Sequence, residues 1–299
     1  MLSFWTSKAP AAKVEANRND ERGAGLPPIA YSPLEAKSPF ADPAASGEHL
    51  GGLSQFQIIR YTESPLGPYD ELIVCPGFFA WEKDGTEEKR KKMKNPRITR
   101  IYVSQKSTCW NGRKNWNIPK HLARFEWDES PDGKTRVRVY PYDTAVSSDS
   151  SYDTESGPSE KFFFQAAFQP VWWAPSFPLA LSWLKYVGID TSLVQPPLPD
   201  GRQGDSRVGE ELIGTSRWCR TQPTMSTRKA TLGWIDMCQH DRNVADDDRG
   251  GCHNSGSGSD AKRDNFWPGM RRWNVAIKME NADIGFGEGL HWDAPLSGL

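Results

Sequence analysis

Short runs of alternating apolar and polar residues, each cut off by a Gly/Pro turn, limit this chain to a mainly β fold. Thr135–Tyr140 is the cleanest run, with Val137 and Val139 on one face and Arg136 and Arg138 on the other, as a half-buried strand requires. Phe56–Tyr61 and Glu71–Cys75 flank the turn Ser64-Pro-Leu-Gly-Pro68, and Ile98–Ser104 is a third strand. Phe162–Phe168 is apolar enough to be buried on both faces. In Trp273–Met279 the residues Trp273, Val275, Ile277 and Met279 share a face, and Ala282, Ile284 and Phe286 repeat the pattern after a turn. One helix is expected, at Ser176–Val187: Ser176 caps it, Phe177, Leu181 and Leu184 share a face, and Gly188 ends it. Many short strands with one packed helix imply a barrel or sandwich.

Residues 1–50, rich in Ala, Pro, Glu and Ser, read as a loosely ordered arm that docks through Tyr31, Leu34 and Phe40. Residues 51–299 read as a single domain interrupted by solvent loops at Glu82–Arg97, Asp143–Lys161 and Asp241–Asn265. The 13 Trp in 299 residues require a sizeable core or a lined pocket, which excludes disorder of the whole chain.

Composition also excludes several functions. Lys plus Arg is 37 against 38 Asp plus Glu, so the basic excess of a nucleic-acid binder is missing. The run Lys89-Arg-Lys-Lys-Met-Lys94 is offset by Glu82, Asp84, Glu87 and Glu88 and reads as a solvated hairpin tip. Five Cys at irregular spacing argue against a disulfide framework. Cys238 with His240 and Cys252 with His253 do not match zinc spacings, so no metal is expected. Gly285-Phe-Gly-Glu-Gly289 leaves too little chain for the helix of a dinucleotide site, and no cofactor is expected. The most apolar stretch, Phe162 to Ile189, is broken by Gln165, Gln169, Pro170, Pro175, Pro178 and Lys185, too often for a membrane span. With no apolar leader at the start, the expected setting is soluble and cytoplasmic, with no membrane partner.

The stretch Asn111–Phe125 carries the chemistry. Pro119 presets the chain and Lys120 follows it, flanked by Trp116, Ile118, Leu122 and Phe125. Burial disfavours an ammonium and lowers its pKa, and a neutral amine attacks carbonyls to give an iminium that acts as an electron sink. The same residues also suit a lysine whose stem is buried while its charge reaches water.

The segments Tyr61-Thr-Glu-Ser-Pro-Leu-Gly-Pro-Tyr-Asp-Glu71 and Gly112-Arg-Lys-Asn-Trp-Asn-Ile-Pro-Lys-His-Leu-Ala123 together resemble the acetoacetate decarboxylase-like superfamily, in particular its divergent fungal-type members. The first is similar to the Gly-x-Tyr-x-Glu strand of that family and the second to its Pro-Lys segment. The likeness is strong over residues 55–127 and sparse beyond, where Trp267–Trp273 and Lys278-Met-Glu280 look like the same branch. The resemblance implies a mostly antiparallel β barrel or cone around a small carbonyl compound, a 2-oxo or 3-oxo acid included, and a homo-oligomer. It implies that Lys120 is the Schiff-base lysine, a desolvated amine in that family, and that Glu71 orients the site and handles protons. Arg113 and Trp116 fall in the same motif as substrate-binding positions.

Three departures qualify it. The family's second lysine is His121 here, a second pocket glutamate falls on Gln57, and its carboxylate-binding arginine has no counterpart in residues 1–50. Two readings stay open: a Schiff-base lyase acting on a carbonyl metabolite of specialised metabolism, or a binding barrel without turnover. A buried, depressed amine beside Glu71 favours the first, and an exposed, protonated one the second.

Overall fold

The computed structural model of the chain describes residues 2–6, 26–83, 91–143, 157–202, 209–239, 266–267 and 273–293. Nine strands form its frame: β1 (Leu2–Thr6), β2 (Ser54–Tyr61), β3 (Tyr69–Cys75), β4 (Arg100–Val103), β5 (Lys120–Glu129), β6 (Thr135–Pro141), β7 (Phe164–Pro170), β8 (Pro223–Asp236) and β9 (Trp273–Glu280). Pairing runs β7-β6-β5-β4-β3-β2-β1-β9-β8, and β8 pairs back to β7 through Ala167 with Asp236 and Gln169 with Trp234. The strand path therefore closes into a barrel, as the alternation implied. The bridge between the two halves is β1, which pairs with β2 on one side and β9 on the other.

One face of each strand from β2 to β9 supplies the interior. Phe56, Ile58, Leu72, Val74, Val137, Val139, Phe164, Phe168, Ile235 and Ala276 belong to one buried cluster. Phe164, Ala166 and Phe168 are buried while Gln165 and Ala167 are only half-buried, so the expectation of a strand buried on both faces fails in favour of ordinary barrel alternation. In β9 Ala276 and Met279 are buried, Ile277 is half-buried and Val275 is exposed, so the face expected to hold Val275, Ile277 and Met279 together is not uniformly inward.

All pairs in the ring are antiparallel except β4 with β5. Parallel neighbours need a crossover connection, and here it is the helix α3 (Lys106–Trp116), the longest helix among the described residues. It follows two short helices, α1 (Pro33–Ala36) and α2 (Pro43–Ser46). The helix expected at Ser176–Val187 is instead a strand, Phe177–Ala180, paired with β8, followed by a 3-10 helix, Leu181–Val187. Pro178 sits in that strand, and the backbone takes up β8's unpaired edge before turning. Gly188 does end the segment, in the left-handed region at φ 76°.

A second layer lies outside β2, β3 and β4. It contains a three-stranded sheet of Leu193–Gln195, Trp218–Thr221 and Leu290–Trp292. The stretch read as a solvent loop at 82–97 is partly a hairpin, Phe78–Lys83 with Lys91–Pro96, in which Trp81 is buried against Val194 and Trp218. Its apolar residues, diluted by lysines, gave too little alternation to be seen. Residues 84–90 lie outside the described residues, as do most of 143–161 and all of 241–265.

The N-terminal segment from residue 26 packs on the barrel: Phe40 is buried and meets Tyr31 edge-on at 6.2 Å. Asp143, placed at the start of a solvent loop by its sequence, is buried. Cys75, Cys109 and Cys219 are outside any disulfide, whereas Cys238 is in one, which removes that thiol as a metal ligand. His240, Cys252 and His253 lie outside the described residues, among which no cluster suited to a metal ion occurs.

Candidate functional site

Lys120 is positioned from two directions. Helix α3 ends where Asn117 adopts the left-handed conformation at φ 52°, with its side-chain amide donating to the Pro196 and Arg217 carbonyls. The chain then turns through Pro119 into β5, and the Lys120 stem lies back across α3. It does so over Gly112, where a Cβ would come within 2.6 Å of Lys120 Cδ and Cε. Glycine inside a helix costs about 1 kcal/mol relative to alanine, so the close approach is what explains it there.

The amine ends in a buried cluster. Lys120 is 6% exposed, and its Nζ donates to Glu71 Oε2 at 2.8 Å and to Thr108 Oγ1 at 3.2 Å. It also lies 5.6 Å from the centroid of the Tyr69 ring, which stacks on Tyr61 at 4.3 Å. Burial pushes the amine's pKa down. The charge of Glu71, then Tyr69, and the hydrogen bond to Glu71 push it further up, so the net shift is upward from the ordinary lysine value. The depressed amine expected from apolar flanking residues is therefore corrected: the flanks predicted burial but could not reveal a carboxylate at 2.8 Å. Burial and the Glu71 charge likewise hold the Tyr61 hydroxyl well above the usual phenol range.

Glu71 lies in the wall of a cavity of about 770 Å³, open mouth included, on the outer face of β2 and β3. Gln55, Gln57, Ile59, Tyr61, Glu71 and Ile73 line that wall, and Leu181, Leu184, Met225, Ile284 and Phe286 face it. The space enclosed within it is about 70 Å³, below the roughly 300–1,000 Å³ of drug-sized ligand sites, and its polar groups are few. Gln57 Nε2 donates to Gln55 Oε1 at 2.8 Å. Trp116 reaches the rim: its Nε1 donates to the Gly287 carbonyl at 2.8 Å, and its ring lies 5.6 Å from that of Phe286.

His121 and Arg113 are elsewhere. Successive residues of a strand face opposite ways, so His121 points into the barrel when Lys120 points out. His121 Nε2 meets Glu35 Oε2 at 2.7 Å, and Arg113 Nη1 donates to Glu35 Oε1 at 2.9 Å. Glu35 is presented by α1. Burial pushes its carboxyl up, but the charges of His121 and Arg113 and their hydrogen bonds pull it down, to about 2. The network continues through Asp143, which accepts from the Tyr102 hydroxyl at 2.9 Å, to Arg100, which donates to Tyr102 and to the Tyr31 carbonyl at 2.9 Å. It ties the segment 29–35 across one end of the barrel and leaves His121 and Arg113 without contact with the cavity.

The fold thus brings Lys120 and Glu71 together, sets Gln57 on the same cavity wall as Glu71, leaves Trp116 at the rim, and sends His121 and Arg113 to a separate network. Sequence reasoning missed Tyr61, Tyr69 and Thr108 beside the amine, and Glu35, Arg100, Tyr102 and Asp143 inside the barrel. Tyr69 had a signal, since it lies two residues before Glu71 on the same strand face. Glu35 had only Pro33 at the start of a helical turn.

No family model matches the chain. Over 91 residues, 29% of the chain, it is 32% identical to Protein NEOXANTHIN-DEFICIENT 1 of Oryza sativa subsp. japonica, and the match spans 24% of that protein's length. Among solved structures, acetoacetate decarboxylase from Legionella pneumophila subsp. pneumophila is similar with a TM-score of 0.47 and 12% identity, over 99% of this chain and 85% of that one.

Proposed function

We propose that the chain binds a small, largely apolar carbonyl compound in the cavity over β2 and β3, and that Lys120, behind the wall, holds Glu71 in place there as its charged hydrogen-bond donor. The observation that carries this reading is the buried ion pair between Lys120 Nζ and Glu71 Oε2 at 2.8 Å, with the amine's pKa raised. An amine so held is an ammonium at neutral pH and has no lone pair for a carbonyl carbon. The wall supplies Gln57, Glu71 and the Tyr61 hydroxyl as polar groups, against aliphatic and aromatic side chains elsewhere. The ligand's carbonyl oxygen would sit among the former and its hydrocarbon body against the latter.

A second reading, a Schiff-base lyase, is favoured by one observation: Lys120 is buried within reach of a carboxylate and two phenols that can carry protons. If a ligand draws the proton from Nζ onto Glu71, the amine adds to the carbonyl, water leaves, and the iminium takes up the electrons of a breaking carbon–carbon bond. Borohydride reduction in the presence of small ketones and of 2-oxo and 3-oxo acids separates the two. Binding without catalysis gives ligand-induced thermal stabilisation and no reduced adduct at neutral pH. An adduct confined to Lys120, absent in Lys120→Ala, would overturn the binding reading and establish the imine.

A further inference from the structure

The 3-10 helix Leu181–Val187 has two faces of opposite character. Side chains three apart superimpose in such a helix. Leu181 and Leu184 face the cavity, and Trp183 and Tyr186 point into solvent, Tyr186 78% exposed. The turn that leads to this segment exposes two adjacent indoles, Trp172 at 92% and Trp173 at 72%. It runs beside β8, where the Val171 amide donates to the Leu232 carbonyl, and Leu232 and Trp234 on β8 and Val275 on β9 are exposed too. Trp183 borders Ser226–Lys229 of β8, so the aromatic stripe follows β8 from about residue 227 to 234, roughly 23 Å at strand rise.

We propose that this stripe docks the protein on a lipid bilayer, with Leu181–Val187 as a lid through which an apolar ligand passes between membrane and cavity; the lid role rests on the ligand-binding reading above. Three features favour a bilayer over a protein partner. The exposed residues are mostly Trp and Tyr, whose amphipathic rings settle at the boundary of headgroups and acyl chains. Lys185, with its ammonium 5.0 Å over the Tyr186 ring, and Arg228 are exposed along the same stripe and complement anionic headgroups, while Lys229 is paired with Glu280. The residues between the stripe and the cavity belong to one short helix, so the surface that would meet lipid is the back of the cavity's own cover. No helix among the described residues is long and apolar enough to cross a membrane, and this contact requires none.

The test is co-sedimentation of the full chain, without added ligand, with phosphatidylcholine vesicles with and without phosphatidylserine. The wild type should bind, more tightly with phosphatidylserine. Trp172→Ser/Trp173→Ser and Trp183→Ser/Tyr186→Ser should each lower partition at least about tenfold, since each removes two large side chains from apolar contact. Lys185→Glu should weaken binding to the anionic vesicles selectively. These side chains are exposed, so unchanged melting temperatures will exclude misfolding. Failure of the wild type to sediment with either vesicle, or binding indifferent to both double variants, would overturn the proposal. So would a light-scattering mass of two chains that reverts to one in the variants, because a second copy would then cover the stripe. Thermal stabilisation by ligand in the absence of vesicles reports on the cavity alone, so failure of the ligand-binding reading is distinguishable from failure of the docking.

Discussion

Replacing Gly112 by alanine should destabilise the protein, although the same exchange in an ordinary helix interior stabilises by about 1 kcal/mol. The new methyl carbon would lie 2.6 Å from Lys120 Cδ and Cε and 3.2 Å from Cγ, against roughly 3.5–4.0 Å for carbon atoms at rest. A lysine stem on a surface would swing aside at little cost. This one is fixed at its far end by Glu71 and Thr108, and leaving them strands a carboxylate that is 2% exposed. Breaking a buried ion pair costs about 3–5 kcal/mol, and the gain in helix propensity returns about 1, so the net loss is on the order of 2–4 kcal/mol. Urea denaturation measures it. The control is the same exchange in a Lys120→Ala/Glu71→Gln background, where no stem is left to strike and Gly112→Ala should stabilise by about 1 kcal/mol. An equal effect in both backgrounds would refute the reasoning.

Glu35 sets an acid limit. Its folded pKa, about 2, is below that of an unfolded glutamate, so its contribution is complete above about pH 4.5 and is lost as the pH falls towards 2. That contribution is on the order of 3 kcal/mol, and Glu35→Gln should flatten the fall in stability measured by denaturant titrations across that window. Glu71→Gln removes the largest influence raising the Lys120 amine while leaving its burial, so the amine's pKa should drop below the ordinary lysine value. Labelling of Lys120 by a small aldehyde with borohydride, negligible in the wild type at neutral pH, should then appear, and its absence would refute the assignment of Glu71 as the cause. Asn117→Ala should lose about 2–4 kcal/mol in a denaturant melt, because it combines left-handed strain with two buried carbonyls left unpaired.

The barrel was legible because its strands obey period two: Val137 and Val139, Phe56 and Ile58, and Phe164 and Phe168 announce an inner face. Helix α3 was not, because its buried face is Thr108, Cys109, Gly112 and Arg113, with no apolar stripe to detect. The false helix at Ser176–Val187 arose from the opposite cause. Leu181 and Leu184 suit a 3-10 turn as well as an α-helical one, and Phe177, four positions before Leu181, belongs to a strand. At the site, motif order located Lys120 and Glu71. It could not predict the amine's charge, which depends on a contact between residues 49 positions apart. His121 and Gln57 were grouped with them by motif, but strand parity turns His121 inward.

The position of β1 has a consequence for biosynthesis. Leu2 pairs with Ile58 on one flank and with Lys278 on the other. Leu2 and its partner Lys278 lie 276 positions apart, so a ribosome releases β1 long before β9. Until then the growing chain carries β2 and its successors with a free edge, and such edges recruit other strands. Closure of the ring joins strands far apart in the sequence, the sort of pairing that makes folding slow. The nascent protein should therefore depend on chaperones to shield those edges, and it should acquire protease resistance only after β9 has emerged.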